Sequence, residues 1–100
     1  MDALSNIDLK TIVGRSDKLL FADIGSDVTI MSVETGKYYS LTKVGARIWS
    51  LIEHTVPVER ICEQLLAEYR VDRAQCENDV LKIFRRMDEE GLVTLTAHQS

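Results

Sequence analysis

The sequence predicts an α+β domain in which a β half precedes an α half, and three observations carry that reading. Residues 18–41 hold three short runs rich in β-branched, aromatic and aliphatic residues, separated by glycine-containing turns. Residues 42–91 instead repeat apolar residues every three or four positions, the period of a helix packed on one face. No proline-, glycine- or serine-rich linker separates the halves, so the 100 residues make one domain.

The elements follow in order. From Lys18 the chain reads LLFADI, then Gly25-Ser26-Asp27, VTIMSV, Glu34-Thr35-Gly36 and KYYSLT. Strands are expected at about 18–24, 27–34 and 37–41, paired as an antiparallel meander. Gly36 suits the left-handed position of a bulged three-residue turn, where a side chain would be strained. Thr42 is placed to cap a helix running to about His54, with Val44, Ile48, Leu51 and Ile52 inward and Trp49 beside them. Pro57 fits the first position of a second helix, which then buries Val58, Ile61, Cys62, Leu65, Leu66 and Tyr69. Asp72 followed by Gln75 resembles a capping box opening a third helix. That helix carries Cys76, Val80, Ile83, Phe84 and Met87 on one face and stops at Gly91. Leu92-Val93-Thr94-Leu95 adds a short strand. An N-terminal three-stranded antiparallel sheet followed by a three-helix bundle is a winged-helix-like arrangement with the sheet leading. Residues 1–16 are expected as a flexible N-terminal segment, 17–95 as the domain and 96–100 as a frayed tail.

Composition narrows the function. The chain is 45% apolar and 28% charged, which is globular usage and argues against disorder or a disulfide scaffold. With 12 basic and 16 acidic side chains the net charge is −4, a poor start for neutralising phosphates. No run approaches the roughly 18 apolar residues of a membrane span. The opening residues lack the basic start and apolar block of a secretory signal, so a cytoplasmic location without membrane association is expected. Cys62 and Cys76 fall in helical patterns and read as reduced core residues; two ligands alone do not close a zinc site.

The catalytic inventory is thin. His54 sits near a helix C-terminus, where its charge favours the dipole without any further role, and His98 lies in the tail. No GxSxG, HExxH, CxxC, Walker loop or GxGxxG occurs. Carboxylates such as Glu59, Glu63, Glu77 and Asp88 occupy solvated helical positions. The expected protein is not an enzyme and has no cofactor or metal. Lys82, Arg85 and Arg86 invite a DNA-recognition reading of the third helix, but Asp79, Asp88, Glu89 and Glu90 on the same helix would repel phosphate.

The third strand is more informative. KYYSL carries two consecutive tyrosines, so one ring faces each side of the sheet. In a three-stranded meander this strand is an edge unless the C-terminal segment covers it. Edges are usually blunted by prolines, bulges or inward charges, and this one has only Lys37. It is then either a short edge with core tyrosines or a docking edge for an extended peptide, the β-augmentation mode.

At this point the residues resemble a family. The run TGKYYSLTKVGARIWSLIEH is similar to the PqqD family pattern Y-x-L-(N/T)-x-x-G-x-x-I-W-x-L, matched by Tyr39, Leu41, Thr42, Gly45, Ile48, Trp49 and Leu51. Asp79-Val80, Phe84, Met87 and Gly91-Leu92-Val93 resemble its D-V-x-x-F-L-x-x-L-x-x-x-G-L-L ending, with Met87 in place of a leucine. The similarity spans about residues 15–95. It implies a non-catalytic chaperone that binds the leader of a precursor peptide and delivers it to a modifying enzyme or leader protease. Implied partners are that peptide and a leader protease, cyclase or radical-SAM maturase, with no nucleic acid. A lasso-peptide pathway is favoured and a pyrroloquinoline quinone pathway is second. In the family the leader adds beside the third strand and packs against the third helix. The expected leader-binding residues are therefore Lys37, Tyr38, Tyr39, Ser40 and Leu41 on the strand. On the helix they are Asp79, Ile83 and Arg86, one of two shoulders flanking the buried face; Leu81 and Arg85 form the other. The rival classes are a winged-helix DNA-binding protein and a structural subunit of a maturase.

Overall fold

The computed structural model describes residues 7–96, and in it the meander forms in the expected order. Strands β2 (Leu19–Ile24), β3 (Asp27–Ser32) and β4 (Tyr38–Leu41) make one antiparallel sheet in the order β2-β3-β4. Ile24 pairs with Asp27 across Gly25-Ser26, with Gly25 at φ 65° as a two-residue hairpin turn demands. The β3–β4 connection is wider than the expected three-residue turn. Ser32 donates its N–H to the Lys37 carbonyl at 2.9 Å, closing a loop in which Gly36 is left-handed at φ 74°.

A second three-stranded sheet corrects the expectation of a single one. Strand β1 (Ile12–Arg15) lies between β5 (Val56–Pro57) and β6 (Val93–Thr96), antiparallel to both. The expected flexible segment 1–16 therefore gives way, at Ile12–Arg15, to a central strand whose Val13 is completely buried. Ile7 also joins the core, and Asp8 caps its own turn, its carboxylate accepting the N–H groups of Lys10 and Thr11. Residues 1–6 and 97–100, including His98, lie outside the described residues.

Helices α1 (Val44–Leu51), α2 (Val58–Glu68) and α3 (Arg73–Glu89) follow the predicted periodicity with shifted ends. Thr42 makes no side-chain cap. The position before α1 is taken by Lys43 in a left-handed conformation (φ 53°), and the Thr42 carbonyl accepts the Gly45 N–H at 3.0 Å. Pro57 precedes the first helical residue of α2, while Leu66 is half-buried and Tyr69 falls beyond the helix and is exposed. Asp72 caps α3 as predicted, accepting from Gln75 N at 3.1 Å. At the far end Leu92 N–H bonds to Met87 O (2.9 Å) and Gly91 N–H to Asp88 O (3.0 Å), with Gly91 left-handed at φ 77°. These paired bonds satisfy the last carbonyls and turn the chain into β6.

One core joins both sheets to all three helices. Val28 and Ile30 of β3, Val13 and Val93 of the second sheet, Trp49 of α1, Ile61 of α2 and Phe84 of α3 are all buried in it. Cys62 and Cys76 are buried and unbridged. Burial pushes the Cys62 thiol up to about 12, so it stays protonated and packs as a small apolar group. Among the described residues no helix is long and apolar enough to cross a membrane.

Candidate functional site

The second sheet decides the state of β4. The C-terminal segment pairs with β1 and does not cover β4, which has β3 on one side and no strand on the other among the described residues. Antiparallel pairing alternates between residues that exchange hydrogen bonds with their opposite number and residues that do not. Ser32 and Lys37 form a bonded pair, so in this register Ile30–Tyr39 and Val28–Leu41 are bonded too. Tyr38 and Ser40 therefore direct their N–H and C=O groups away from β3, along the open edge.

The side chains divide the other way. Tyr38 is exposed on the outer face of the sheet, whereas Tyr39 and Leu41 turn inward and pack against the core. The Tyr39 hydroxyl donates to Glu90 Oε1 at 3.0 Å, tying β4 to the C-terminal end of α3. Desolvation, reinforced by the neighbouring carboxylate, raises the phenol above its ordinary value, so it remains the donor at neutral pH.

Between β4 and α3 runs an open groove of about 680 Å³. Tyr38, Tyr39, Ser40 and Leu41 form one wall, and Lys82, Ile83, Arg86, Met87 and Glu90 the other. Leu92 and Gly45 also contribute. Of the sequence-predicted residues, the structure thus brings together the four strand positions with Ile83 and Arg86. Lys37 does not line the groove; its carbonyl is used by Ser32, and its N–H donates to Thr35 Oγ1 at 3.2 Å. Asp79 lines a smaller neighbouring hollow of about 120 Å³ instead, which meets the groove at Ile83, and its carboxylate accepts from Gln75 Nε2 at 2.9 Å. Leu81 and Arg85, the alternative shoulder, lie outside the groove. Thr42, Gly45, Lys82, Met87, Glu90 and Leu92 also line the groove and were not among the expected residues. Lys82 and Glu90 each lie four residues from Arg86, so helical spacing could have found them once Arg86 was chosen.

The chemistry on offer is recognition. The groove presents unpaired backbone donors and acceptors, an apolar floor and a charged rim. Among the described residues no group of three or more His, Cys, Asp or Glu side chains is placed to hold a metal ion.

Comparison with known proteins adds to this geometry. The family model described as coenzyme PQQ synthesis protein D (PqqD) matches residues 27–93. The solved structure of TbiB1 in complex with the TbiA(beta) leader peptide superimposes with a TM-score of 0.77 and 34% sequence identity, covering 87% of this chain and 99% of that one. A lasso peptide synthetase B1 complexed with the leader peptide gives a TM-score of 0.72 at 19% identity, covering 82% and 96%, and shows a shared fold. No curated protein sequence matches the chain.

Proposed function

The chain belongs to the PqqD family, and on that premise we propose that it is a non-catalytic recognition domain that binds the leader of a precursor peptide by strand addition to β4. The observation that carries this reading is the open edge of Tyr38–Leu41 facing α3 across an unfilled groove. An extended peptide laid there exchanges main-chain hydrogen bonds with Tyr38 and Ser40, while its alternate side chains point at Tyr39, Leu41, Ile83 and Met87. TbiB1, with 34% identity, was solved with a leader peptide, which favours a leader as the ligand. The second similar structure is a lasso peptide synthetase B1, which favours a lasso pathway over a pyrroloquinoline quinone pathway. The bound precursor is then delivered to a leader protease, cyclase or other maturase, whose turnover rises because the substrate is held near it. The site includes Tyr38, Tyr39, Ser40, Leu41, Ile83 and Arg86, with Lys37 and Asp79 at its two ends.

The test is to titrate fluorescein-labelled candidate leaders against the wild-type domain, Tyr38→Pro and Ser40→Pro, with circular dichroism to confirm folding. Saturable binding to the wild type that both proline variants lose is expected. Folded proline variants that bind at wild-type affinity would overturn strand addition. A flat titration with every leader would favour a purely structural subunit, and a salt-dependent shift of duplex DNA the winged-helix alternative.

A further inference from the structure

Lys82 and Arg86 of α3 and Glu90, the residue that caps its C-terminus, stand four residues apart, so they form a single column along the wall of the β4–α3 groove. Lys82 and Arg86 are exposed and make no ion pair among the described residues, although the chain as a whole is acidic. Glu90 is half-buried and bound by the Tyr39 hydroxyl through one oxygen, leaving the other to the groove. The column therefore reads plus, plus, minus.

Its direction is fixed by contacts. Glu90 meets Tyr39 near the start of β4, whereas Ile83, beside Lys82, shares the smaller hollow with Val44, just past the end of β4. Going from Leu41 toward Tyr38, the groove wall thus presents Lys82, Arg86 and Glu90 in turn.

The spacing of this column suits a β-strand. Four helical residues rise about 6 Å, and two strand residues, which return to the same face, advance about 6.7 Å. Over three successive positions the mismatch accumulates to roughly 1.4 Å, well within the reach of lysine and arginine side chains. Ile83 and Met87 lie between this rim and β4, providing apolar surface for the stem of a long side chain whose charged head reaches the column.

Resting on the strand-addition reading, we propose that this column selects the leader by charge at alternate positions. The preferred segment carries acid, acid and base at i, i+2 and i+4, with glutamates favoured over aspartates because the stem must cross Ile83 and Met87. For a strand running antiparallel to β4 that order is N- to C-terminal, Glu-x-Glu-x-Lys, since such a strand travels from the Leu41 end to the Tyr38 end.

Four fluorescein-labelled peptides of one Thr/Val strand frame test it by fluorescence anisotropy. They differ only at the three alternate positions: Glu-x-Glu-x-Lys, the reversed order Lys-x-Glu-x-Glu, the inverted signs Lys-x-Lys-x-Glu, and a neutral Gln-x-Gln-x-Gln. The first is expected to bind about tenfold more tightly than the sign-inverted peptide, with the neutral one between them and the gap shrinking as salt rises. The triple variant Lys82→Glu/Arg86→Glu/Glu90→Lys should invert that ranking, and Arg86→Glu alone should narrow it. Equal binding by all four peptides, lost in Ser40→Pro, would overturn the charge column and leave strand addition standing. Tighter binding of the reversed order would overturn the proposed polarity. No binding by any peptide, or binding that survives in folded Ser40→Pro, would overturn strand addition and the column with it.

Discussion

The sheet that carries β4 has a second edge, and the two are treated differently. In β2 the alternation runs so that Leu19, Phe21 and Asp23 turn their amide groups outward, because Lys18, bonded to Val33, sets the pairing parity. Like β4, β2 therefore has main-chain groups without a strand partner along its outer edge among the described residues. Beneath it, however, a hollow of about 580 Å³ is walled by a built cation–aromatic stack and by charged side chains. The Arg15 guanidinium sits 4.8 Å from the Phe21 ring centroid and 4.6 Å from that of Trp49, and donates to the Trp49 carbonyl from Nη2 at 2.7 Å. Phe21 meets Trp49 edge-on with centroids 5.7 Å apart. Burial holds the Arg15 guanidinium below its ordinary pKa, a shift that the carboxylates of Glu53 and Asp23 only partly counter. Asp23 lies on the inner face, the kind of inward charge that discourages another strand from docking. What distinguishes β4 is the floor of its groove, where Ile83, Met87 and Leu92 offer apolar surface, whereas the hollow under β2 is lined by Arg15, Asp23, Arg47 and Glu53.

This comparison can be broken at either edge. The largest effect is expected from Trp49→Ala, which empties the ring beneath β2 and should cost about 3–5 kcal/mol of stability. Urea unfolding checks it; a loss well under 1 kcal/mol would mean the stack is ornamental. Next, Ser40→Pro should weaken leader binding about a hundredfold by removing an outward donor and distorting the edge. Phe21→Pro, at an equally outward position on β2, should leave affinity within about twofold. Similar losses in both folded variants would erase the distinction drawn between the edges. Ile83→Ala, in the groove, should cost about 1 kcal/mol of leader binding while barely moving the melting temperature. A stability loss with unchanged binding would make Ile83 a core residue and not a contact.

The smallest effect concerns Arg47, which lines the cavity beneath β2 and binds Glu68 of α2 through Nε at 2.9 Å. Hydrogen bonds from Arg47 and Gln64 hold the Glu68 carboxyl down to about 2, below its ordinary 4.5. Because the folded value is depressed, the stabilisation is complete above about pH 4.5 and fades as the pH falls toward 2. The difference in melting temperature between wild type and Glu68→Gln should follow that window, and leader affinity at pH 7 should not change. A difference independent of pH would remove the ionic explanation.

How legible all this was depends on how local each signal is. The meander, the Asp72 cap and the Gly91 stop were readable because each is written in adjacent residues. Strand β1 was not: IVGR is four residues whose pairing partners, Pro57 and Thr96 among them, lie far away in sequence. Nor was Lys43, where the left-handed backbone displaces the expected Thr42 cap. The strand half of the candidate groove was visible as an edge lacking the usual defences. Its helical half depended on handedness around the core: Ile83 and Arg86 fall on the groove wall, while Asp79, one turn earlier, faces the adjoining hollow.

The pairing of Ile12 with Thr96 has a practical consequence. The first and last strands of the described fold, β1 and β6, thus begin and end side by side, on the sheet that does not contain β4. Such a unit can be spliced into a surface loop of a larger protein as a self-contained cassette, with neither junction stretched and the groove still turned to solvent.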